Sequence, residues 1–242
     1  FGTPNYAAHG GFCSVNMAAA GIYTIGGSFW EFGSPDWEKT ELLLLFGVAE
    51  DHDSNPIKRG LGKLKNRGAR VVAINPVRTG YNSIADQWVG IRPGTDGLLV
   101  LSLVHTLLKR KKIDLEYLQS FTNAPFLVNI SSADTNKGLF LRDKDGNPLV
   151  VDHFSGELKS FSDKGVKPSL TKCYSNKSGS FKTVFSLLTD KYLDDSYSPK
   201  IVAPKCGLKE EQILGLAEEI AEIAFNKSIY IEQDWVDFRG EK

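Results

Sequence analysis

The apolar and polar positions form their clearest pattern between residues 41 and 75. The continuous apolar runs ELLLLFG (41–47) and ARVVAIN (69–75) predict two fully buried strands. Between them, NPIKRGLGKLKNRG (55–68) repeats apolar residues at spacings of four and three, which predicts an amphipathic helix. Its Asn-Pro start and its final glycine are residue types that begin and end helices.

The same pattern continues to residue 112. A short helix over 79–85 leads into the apolar run QWVGI (87–91), and GTDGLLVLSLVHTLLKRKK (94–112) predicts a long helix. The basic residues of that helix lie at its C-terminal end, where the helix dipole favours positive charge. Strands that alternate with helices predict an α/β fold with a mainly parallel sheet and right-handed crossovers.

Residues 113–195 differ in character and predict an interruption of that fold. IDLEYLQSF (113–121) predicts a short helix. The two apolar runs of GLFLRDKDGNPLVVD (138–152) flank an Asp-Gly turn and predict a hairpin. The stretch from 152 to 182 is polar and rich in Ser, Lys and Gly, which indicates a long surface loop.

Helix and strand patterns return after the polar stretch. LKEEQILGLAEEIAEIA (208–224) predicts an amphipathic helix, and SIYIEQDW (228–235) predicts a strand that follows it. The first forty residues are rich in glycine and aromatic residues and predict one helix, over 14–25. We therefore expect a loop-rich segment at 1–40, one α/β domain from 41–125 and 196–242, and an insertion with a hairpin and a polar loop at 126–195.

The composition excludes several classes of function. The chain has 242 residues with 29 Lys and Arg against 29 Asp and Glu, so its formal net charge is zero. A neutral balance gives no electrostatic reason to expect a nucleic-acid partner or an anionic membrane surface. The apolar fraction of 41% suffices for a packed core, and the longest apolar run is far too short to cross a bilayer. The chain opens on Phe1 and closes after a strand-like run, so we expect a piece of a longer polypeptide.

Several familiar site motifs do not occur in the sequence. The three cysteines form no CxxC pair and the four histidines show no metal-ligand spacing, so this segment alone predicts neither a zinc site nor an iron–sulfur cluster. No GxGxxG follows the first strand and no GxxxxGK[ST] occurs, which disfavours a standard NAD site or a P-loop. His105 lies within the predicted long helix, where we expect a structural role.

Glycine-rich or charged turns follow four of the apolar runs. They are FGVAEDHDSNP (46–56), NPVRTG (75–80), IRPGTDG (91–97) and EQDW (232–235). In an open parallel sheet, ligands bind outside the carboxyl ends of the strands. Gly47 and Gly94 allow backbone amides to approach a ligand closely. The charged Asp53, Arg78 and Asp96 suit a purine edge, a ribose or a diphosphate. Ordinary caps and turns explain the same residues, and the pattern alone leaves both interpretations open.

Cys13 stands where a Gly-rich turn meets the Ala-rich predicted helix, in AHGGFCSVNMAAAG (8–21). A cysteine near a helix N-terminus readily forms a thiolate, and a thiolate suits a transition metal. A buried cysteine that packs as a small apolar residue fits the same position. The residues alone leave the two roles open.

Six stretches of the sequence occur together in a distinctive order and spacing. They are GTPN (2–5), AHGGFCSVNMAAAG (8–21), LLFGVAEDHDSNP (44–56), GARVVAINPVRT (68–79), IADQWVGIRPGTDG (84–97) and CGLKEEQILGLAEEIA (206–221). With them the chain resembles the catalytic subunits of the molybdopterin oxidoreductases, the dimethyl sulfoxide reductase superfamily. The resemblance is nearest to the branch of polysulfide and thiosulfate reductases. It extends well over residues 1–125 and loosely over 180–242.

The resemblance implies a metal centre and a reaction class. It implies that Cys13 is the protein ligand to molybdenum or tungsten, and that two molybdopterin guanine dinucleotides supply the other sulfur ligands. His9 is a second catalytic candidate near the metal, or else caps the turn. The implied reaction is a two-electron redox step, or transfer of an oxygen or sulfur atom, on a small substrate. The implied fold is a three-layer, Rossmann-like domain of the formate dehydrogenase and dimethyl sulfoxide reductase type.

The resemblance also implies which residues bind the cofactor, with 1–40 as the active-site segment and the α/β domain holding the pterin dinucleotide. The set is Asn5, Gly47, Asp53, Asn75, Pro76, Arg78, Thr79, Gly94 and Asp96. The sequence departs from the family at three positions. Asn75 stands where relatives usually carry Asp or Glu, and Gly47-Val48-Ala49 stands where they carry Gly-x-Asn. Ser14 replaces the histidine of formate dehydrogenases, which disfavours formate as substrate.

The resemblance finally implies partners that lie outside this sequence. A 4Fe–4S cluster is expected in an N-terminal part, and an iron–sulfur electron-transfer subunit is the expected partner, without nucleic acid or direct membrane insertion. The isolated chain is expected to be inactive because it holds only part of a cofactor cleft. The compartment stays open between periplasm and cytoplasm, with partner subunits as the link to any membrane complex. The alternative is a non-catalytic nucleotide-binding or scaffold module from the same family, and Cys13 discriminates between the two.

Overall fold

The structure is a computed structural model, and it groups the chain into two compact units. It describes residues 2–5, 14–27, 35–48, 57–78, 80, 84–131, 135–177, 179–237 and 240. The first unit consists of Phe1–Thr40 with Pro56–Gly68, and the second of Glu41–Asn55 with Ala69–Lys242. The three-part division expected from the sequence stays a prediction.

The described residues of the first unit form two helices, α1 (Ser14–Ile25) and α2 (Ile57–Asn66), and both were predicted from the sequence. The Trp37 ring packs against Gly60 of α2 so closely that a Cβ there would lie 2.4 Å from ring carbons. Arg67, just after α2, donates from Nη2 to the Thr40 carbonyl at 2.7 Å. The helix ends at Gly68, whose φ of +80° is the left-handed conformation that commonly terminates helices.

The second unit is built on a parallel sheet of three strands. These are β1 (Leu42–Phe46), β2 (Arg70–Ile74) and β3 (Gln87–Val89), in the order β1-β2-β3. The registers pair Leu42 with Arg70 and Val72 with Gln87, so the predicted parallel α/β fold is confirmed. The sequence predicted that β1 and β2 are both fully buried, and this prediction is correct for the central β2 and wrong for β1. In β1 only Leu45 is buried, because β1 lies at the edge of the sheet that the described strands form.

The described part of the second unit also contains five α-helices and a short 3₁₀ helix, Asp195–Tyr197. The five α-helices are α3 (Asp96–Lys109), α4 (Leu115–Phe121), α5 (Val184–Tyr192), α6 (Pro199–Cys206) and α7 (Glu210–Asn226). One face of the sheet packs against α3, α6 and α7 through a single apolar core. Its members include Val72, Ile74, Val89, Leu99, Leu103, Val202, Ile213 and Leu216. His105 is buried in α3 with Nδ1 2.8 Å from the Tyr192 carbonyl oxygen, so it has the expected structural role.

Residues 126–183 form two small antiparallel sheets. The strands are β4 (Leu127–Asn129), β5 (Leu149–Val151), β6 (Leu158–Ser160), β7 (Tyr174–Asn176) and β8 (Gly179–Thr183). One sheet has the order β4-β8-β7 and the other pairs β5 with β6. The prediction of a polar loop over 152–182 was therefore wrong. Apolar residues hidden among the lysines and serines fill two small cores, with Phe161, Val166 and Phe181 buried.

The predicted hairpin over 138–152 turns at the Asp-Gly pair. The Asp143 amide donates to the Asn147 carbonyl at 3.0 Å, and Leu149 donates to Leu141 at 2.9 Å. Arg142 and Pro148 form an isolated antiparallel bridge across the turn. The hairpin exists, but its second arm pairs more regularly with β6 than with its first arm.

Two further predictions concern a strand over 228–235 and a short helix over 79–85. The strand predicted over 228–235 is not formed, and residues 228–237 have no regular structure. Ile229 and Ile231 are each more than half exposed, and no described strand lies beside the segment to stabilise it. The short helix predicted over 79–85 falls largely on residues 79 and 81–83, which lie outside the described residues.

Asp152 organises the polar half of the insertion. Its buried carboxylate accepts hydrogen bonds from the Ser155 amide at 2.8 Å and the Lys167 amide at 3.2 Å. Lys159 Nζ lies 3.6 Å away. These contacts, the Ser155 amide foremost, hold the pKa of Asp152 well below its ordinary value. The charged form of Asp152 therefore stabilises this fold.

We expect Asp152→Asn to lower the melting temperature by several degrees at pH 7. A lowered folded-state pKa gives a contribution that is complete above the unfolded pKa of about 4 and is lost as the pH falls through the folded-state value. The difference between wild type and variant should thus shrink below about pH 4, which melting curves followed by circular dichroism will measure. Asp145→Asn is the control, since its carboxylate accepts no hydrogen bond among the described residues. An unchanged difference at pH 3 would contradict the assignment.

Candidate functional site

The carboxyl ends of the three parallel strands are held level by backbone hydrogen bonds. The Gly47 amide, just after β1, donates to the Ile74 carbonyl at 2.9 Å. The Asn75 amide, just after β2, donates to the Val89 carbonyl at 3.1 Å. The turns that follow the strands therefore start from one edge of the sheet, where ligands of open α/β sheets bind.

Two glycines leave the backbone of this edge accessible. Gly47 has a φ of +59° and Gly94 a φ of +77°, which side-chain-bearing residues rarely adopt. A Cβ built on either would meet no atom within 4 Å. Both glycines thus provide open backbone at the edge, and their predicted role in binding a ligand stays a prediction.

Trp88 forms a platform beside the end of β2. Its Nε1 donates to the Asn75 carbonyl at 2.9 Å, which fixes the ring. The ring lies across Gly90, where a Cβ would fall 2.7 Å from it. The Arg78 guanidinium carbon lies 5.8 Å from the ring centroid, within cation–π range. The ring therefore gives an exposed arginine a defined position.

The loop between β3 and α3 is anchored to the end of α6. The Arg92 amide donates to the Cys206 carbonyl at 2.8 Å, and Arg92 Nη1 reaches the Lys205 carbonyl at 3.2 Å. Within the loop, Thr95 Oγ1 donates to the Arg92 carbonyl at 2.7 Å. Buried Cys206 has Sγ 3.7 Å from the Thr95 carbonyl oxygen. The contacts make this loop a rigid support for the N-terminus of α3.

Among the described residues, no side chain neutralises the charge of Asp96 or of Arg78. Asp96 is half-buried in the first turn of α3, and its carboxylate makes no hydrogen bond or ion pair among the described residues. The exposed Arg78 guanidinium likewise makes no ion pair within the described part of the chain. The Thr95 side chain makes no capping hydrogen bond to α3. A carboxylate and a guanidinium are thus available at this edge for a ligand.

The structure brings most of the predicted cofactor-binding residues of the second unit to this one edge. They are Gly47, Asn75, Pro76, Arg78, Gly94 and Asp96. Asn5 is exposed and lies in the first unit, where its amide donates to Thr3 Oγ1 at 3.1 Å. Cys13, His9, Asp53 and Thr79 lie outside the described residues. Their roles stay predictions.

Sequence reasoning missed the contribution of Trp88 and Gly90. A tryptophan and a glycine two residues apart on a strand share one face, so the ring can lie over the glycine. That spacing was a usable signal in QWVGI. The loop anchor through Arg92 and Cys206 had no comparable signal, because the two residues lie 114 positions apart.

Two other kinds of functional feature are absent from the described residues. No group of three or more of their His, Cys, Asp or Glu side chains is placed to hold a metal ion. In the same part of the chain, no helix combines the length and apolarity needed to cross a membrane.

A family model described as molybdopterin oxidoreductase matches residues 1–209. The chain belongs to the molybdopterin oxidoreductase family. It is 42% identical over 249 aligned positions to a sulfite dehydrogenase subunit of Allochromatium vinosum, an alignment that covers 98% of this chain and 25% of that protein. It is 28% identical to a tetrathionate reductase subunit of Salmonella typhimurium, over 90% of this chain and 24% of that protein. The chain therefore spans about a quarter of the length of these relatives.

Among solved structures, the acetylene hydratase of Pelobacter acetylenicus has a similar fold. The superposition gives a TM-score of 0.54 at 17% identity and covers 93% of this chain and 22% of that chain. At this identity the likeness concerns the fold alone. It agrees with the mixed α/β architecture built on a parallel sheet.

The strand-end site has the chemistry to hold a phosphate-bearing cofactor. Glycines with an accessible backbone suit close contact with a phosphate, and a guanidinium that makes no ion pair among the described residues suits its charge. The Asp96 carboxylate, which has no partner in the described part of the chain, can accept hydrogen bonds from N–H groups of a ligand.

Proposed function

We propose that the chain is part of the catalytic subunit of a molybdenum bis(molybdopterin guanine dinucleotide) oxidoreductase. The observation that carries this is the strand-end site, where Arg78 and Asp96 make no ion pair among the described residues and lie beside two open glycines, in a chain of this family. The second unit then forms part of a three-layer, Rossmann-like cofactor-binding domain. A 4Fe–4S cluster and an iron–sulfur partner subunit complete the electron path. Both relatives are named as single subunits of their enzymes, which supports such a partner.

Different residues of the edge bind different groups of the cofactor. Arg78, held by the Trp88 ring, neutralises diphosphate charge, and the backbone at Gly47 and Gly94 gives the phosphates close approach. Asp96 recognises the guanine edge by accepting hydrogen bonds from its N–H groups. When bound, the metal centre supplies the two-electron redox chemistry, and Cys13 is the protein ligand through which this chain tunes it.

The substrate that fits best is a small sulfur oxyanion. The 42% identity over nearly the whole chain supports sulfite, and the 28% identity to a tetrathionate reductase supports the same chemical class. Sulfite oxidation combines one sulfite with one water and releases sulfate, two protons and two electrons, and the electrons leave through the iron–sulfur partner. We place this reaction in the periplasm or cytoplasm of a prokaryote, with any membrane attachment through partner subunits.

The test is chemical analysis of the complete subunit purified without oxygen. We expect one molybdenum atom and two GMP groups per chain after acid hydrolysis, together with sulfite-dependent reduction of an artificial electron acceptor. A folded subunit without molybdenum or GMP would overturn the proposal and favour the non-catalytic module. GMP without metal or turnover would favour a nucleotide-binding scaffold, which also overturns it.

A further inference from the structure

The helix α7 carries a concentration of negative charge in a chain whose formal net charge is zero. Its 17 residues include five glutamates and no lysine or arginine. The five are Glu210, Glu211, Glu218, Glu219 and Glu222. Arg70 pairs with Glu219, and Arg110 pairs with Glu218. The other three carboxylates make no ion pair with any described residue, so the exposed side of α7 keeps a net negative charge.

A groove with apolar side chains on its helix side runs beside these glutamates. It has a volume of about 830 Å³ and lies between α7 and the amino ends of β2 and β3, all within the second unit. Leu216 and Ile223 line it from α7, and Arg70 and Gln87 line it from the sheet. Arg70 donates to Glu219 Oε1 at 2.5 Å and to Gln87 Oε1 at 2.8 Å, which holds the sheet side in place. The groove is therefore preformed, at the end of the sheet opposite the strand-end site.

Gly215 leaves a bare stretch of helix backbone in the middle of this groove. It is exposed within α7, and a Cβ built on it would meet no described atom within 4 Å. Glycine inside a helix is destabilising relative to alanine, so the packing of the described residues gives no reason for a glycine here. A glycine also allows another backbone to approach closely, and that use fits a groove. Glu211, Glu218 and Glu222 lie in the same row of α7 as Gly215, at spacings of four and three.

The charges around the groove distinguish between its possible occupants. Faces that pack inside one folded chain seldom hold carboxylates without a cation, because burying such a charge is costly. An apolar centre within a charged rim is instead typical of surfaces where separate chains meet. Glu211 and Glu222, which have no ion pair among the described residues, call for lysine or arginine on the partner. Opposite charges across an interface speed association and suppress wrong partners.

We propose that the groove beside α7 binds a lysine- or arginine-bearing segment of a separate partner chain. The backbone of that segment crosses α7 at Gly215, its apolar side chains pack on Leu216 and Ile223, and its cations face Glu211 and Glu222. This rests on the proposed function only in taking the chain as part of a subunit that assembles with others. The partner occupies the amino ends of the strands, so it leaves the strand-end site to the cofactor.

Chemical labelling of carboxylates in the complete subunit tests the docking without any substitution. Carbodiimide couples glycine ethyl ester to exposed carboxylates, and mass spectrometry locates the labels. We expect Glu211 and Glu222 to be labelled in the separated subunit and to lose that labelling when its partner chains are added back. Glu116, exposed on α4, is the control and should be labelled in both samples.

Three labelling results would overturn the inference. Persistent labelling of Glu211 and Glu222 in the assembled complex would show that no partner covers the groove. Protection already present in the separated monomeric subunit would assign the groove to another part of the same chain. Protection that appears on self-association alone would assign it to a second copy.

Gly215→Gln tests the close approach at the centre of the groove. Glutamine favours a helix more than glycine does and has free space here, so the melting temperature of the separated subunit should stay the same or rise. The added side chain should weaken binding of the partner chains at least about tenfold, as overpacking at a close contact does. Biolayer interferometry with the purified partner chains will measure the affinity.

Gly62→Gln is the matched control for this variant. Gly62 is an exposed glycine of α2, and a Cβ built on it also meets no described atom within 4 Å, so its replacement should leave the affinity unchanged. Equal affinity in wild type and Gly215→Gln would overturn the inference. Molybdenum and GMP content measured on the same samples separates its failure from failure of the proposed function.

Discussion

Replacing Cys13 with alanine in the complete subunit will lower turnover by more than about 100-fold, since loss of a residue that only supports a metal ligand already costs about 10–100-fold. The proposed function makes Cys13 the ligand that this chain contributes to the metal. A thiolate near a helix N-terminus is well suited to that role, because the helix dipole stabilises its negative charge. Metal analysis and steady-state kinetics on the same preparation will measure the effect.

Two further cysteine variants make this experiment specific. Cys173→Ala removes an exposed thiol in the insertion and should leave turnover unchanged. Cys13→Ser replaces the sulfur donor by an oxygen donor of similar size, and it should keep metal while altering the rate. If Cys13→Ala turns over like the wild type with full metal content, Cys13 is not the ligand, and the alternative of a small packing residue stands.

The predictable elements are those whose buried residues form a continuous or periodic apolar pattern in the sequence. The central strand β2 is buried on both faces, and ARVVAIN shows it directly. The helix α7 was predicted from its spacing, with Ile213 and Leu216 buried as the pattern requires. In both cases local periodicity and tertiary packing agree, which is the condition under which pattern reasoning succeeds.

The insertion escaped prediction because its fold uses buried hydrogen bonds to polar side chains as well as apolar contacts. Buried Asp152 accepts hydrogen bonds from the backbone amides of Ser155 and Lys167. Buried Thr183 accepts a hydrogen bond from the Ser186 amide at 3.1 Å and so caps the start of α5. From composition alone, Asp and Thr are expected at the surface, because these residue types are mostly exposed. Only the folded chain shows that they are satisfied inside.

The candidate site was predictable as far as strand ends determine it. Parallel strands bring their carboxyl ends to one edge, so Gly47, Asn75 and Asp96 could be grouped without coordinates. The stacking of Arg78 on Trp88 could not be predicted in this way. It depends on a ring that leaves an apolar strand, bonds the Asn75 carbonyl and crosses Gly90.

Replacing Arg78 with alanine should weaken nucleotide retention by about 10–100-fold. A hydrogen bond to a charged group contributes about 1.5–3 kcal/mol, and each 1.4 kcal/mol is about tenfold in affinity. Trp88 already holds the guanidinium in place, so little conformational entropy is lost when a diphosphate binds. GMP content after graded dialysis of the complete subunit will measure the loss.

Three control variants distinguish the effect of the Arg78 charge on nucleotide retention from the effect of its geometry. Arg78→Lys keeps the charge but loses the planar fork, so its retention should fall between wild type and alanine. Trp88→Leu removes the platform and should weaken retention less than Arg78→Ala, because the guanidinium remains but must be ordered on binding. Arg142→Ala in the insertion, where Nη1 bonds the Gly146 carbonyl at 2.7 Å, should retain GMP fully. Equal GMP retention in wild type and Arg78→Ala would remove Arg78 from the site and leave the nucleotide to Asp96 and the glycine backbone.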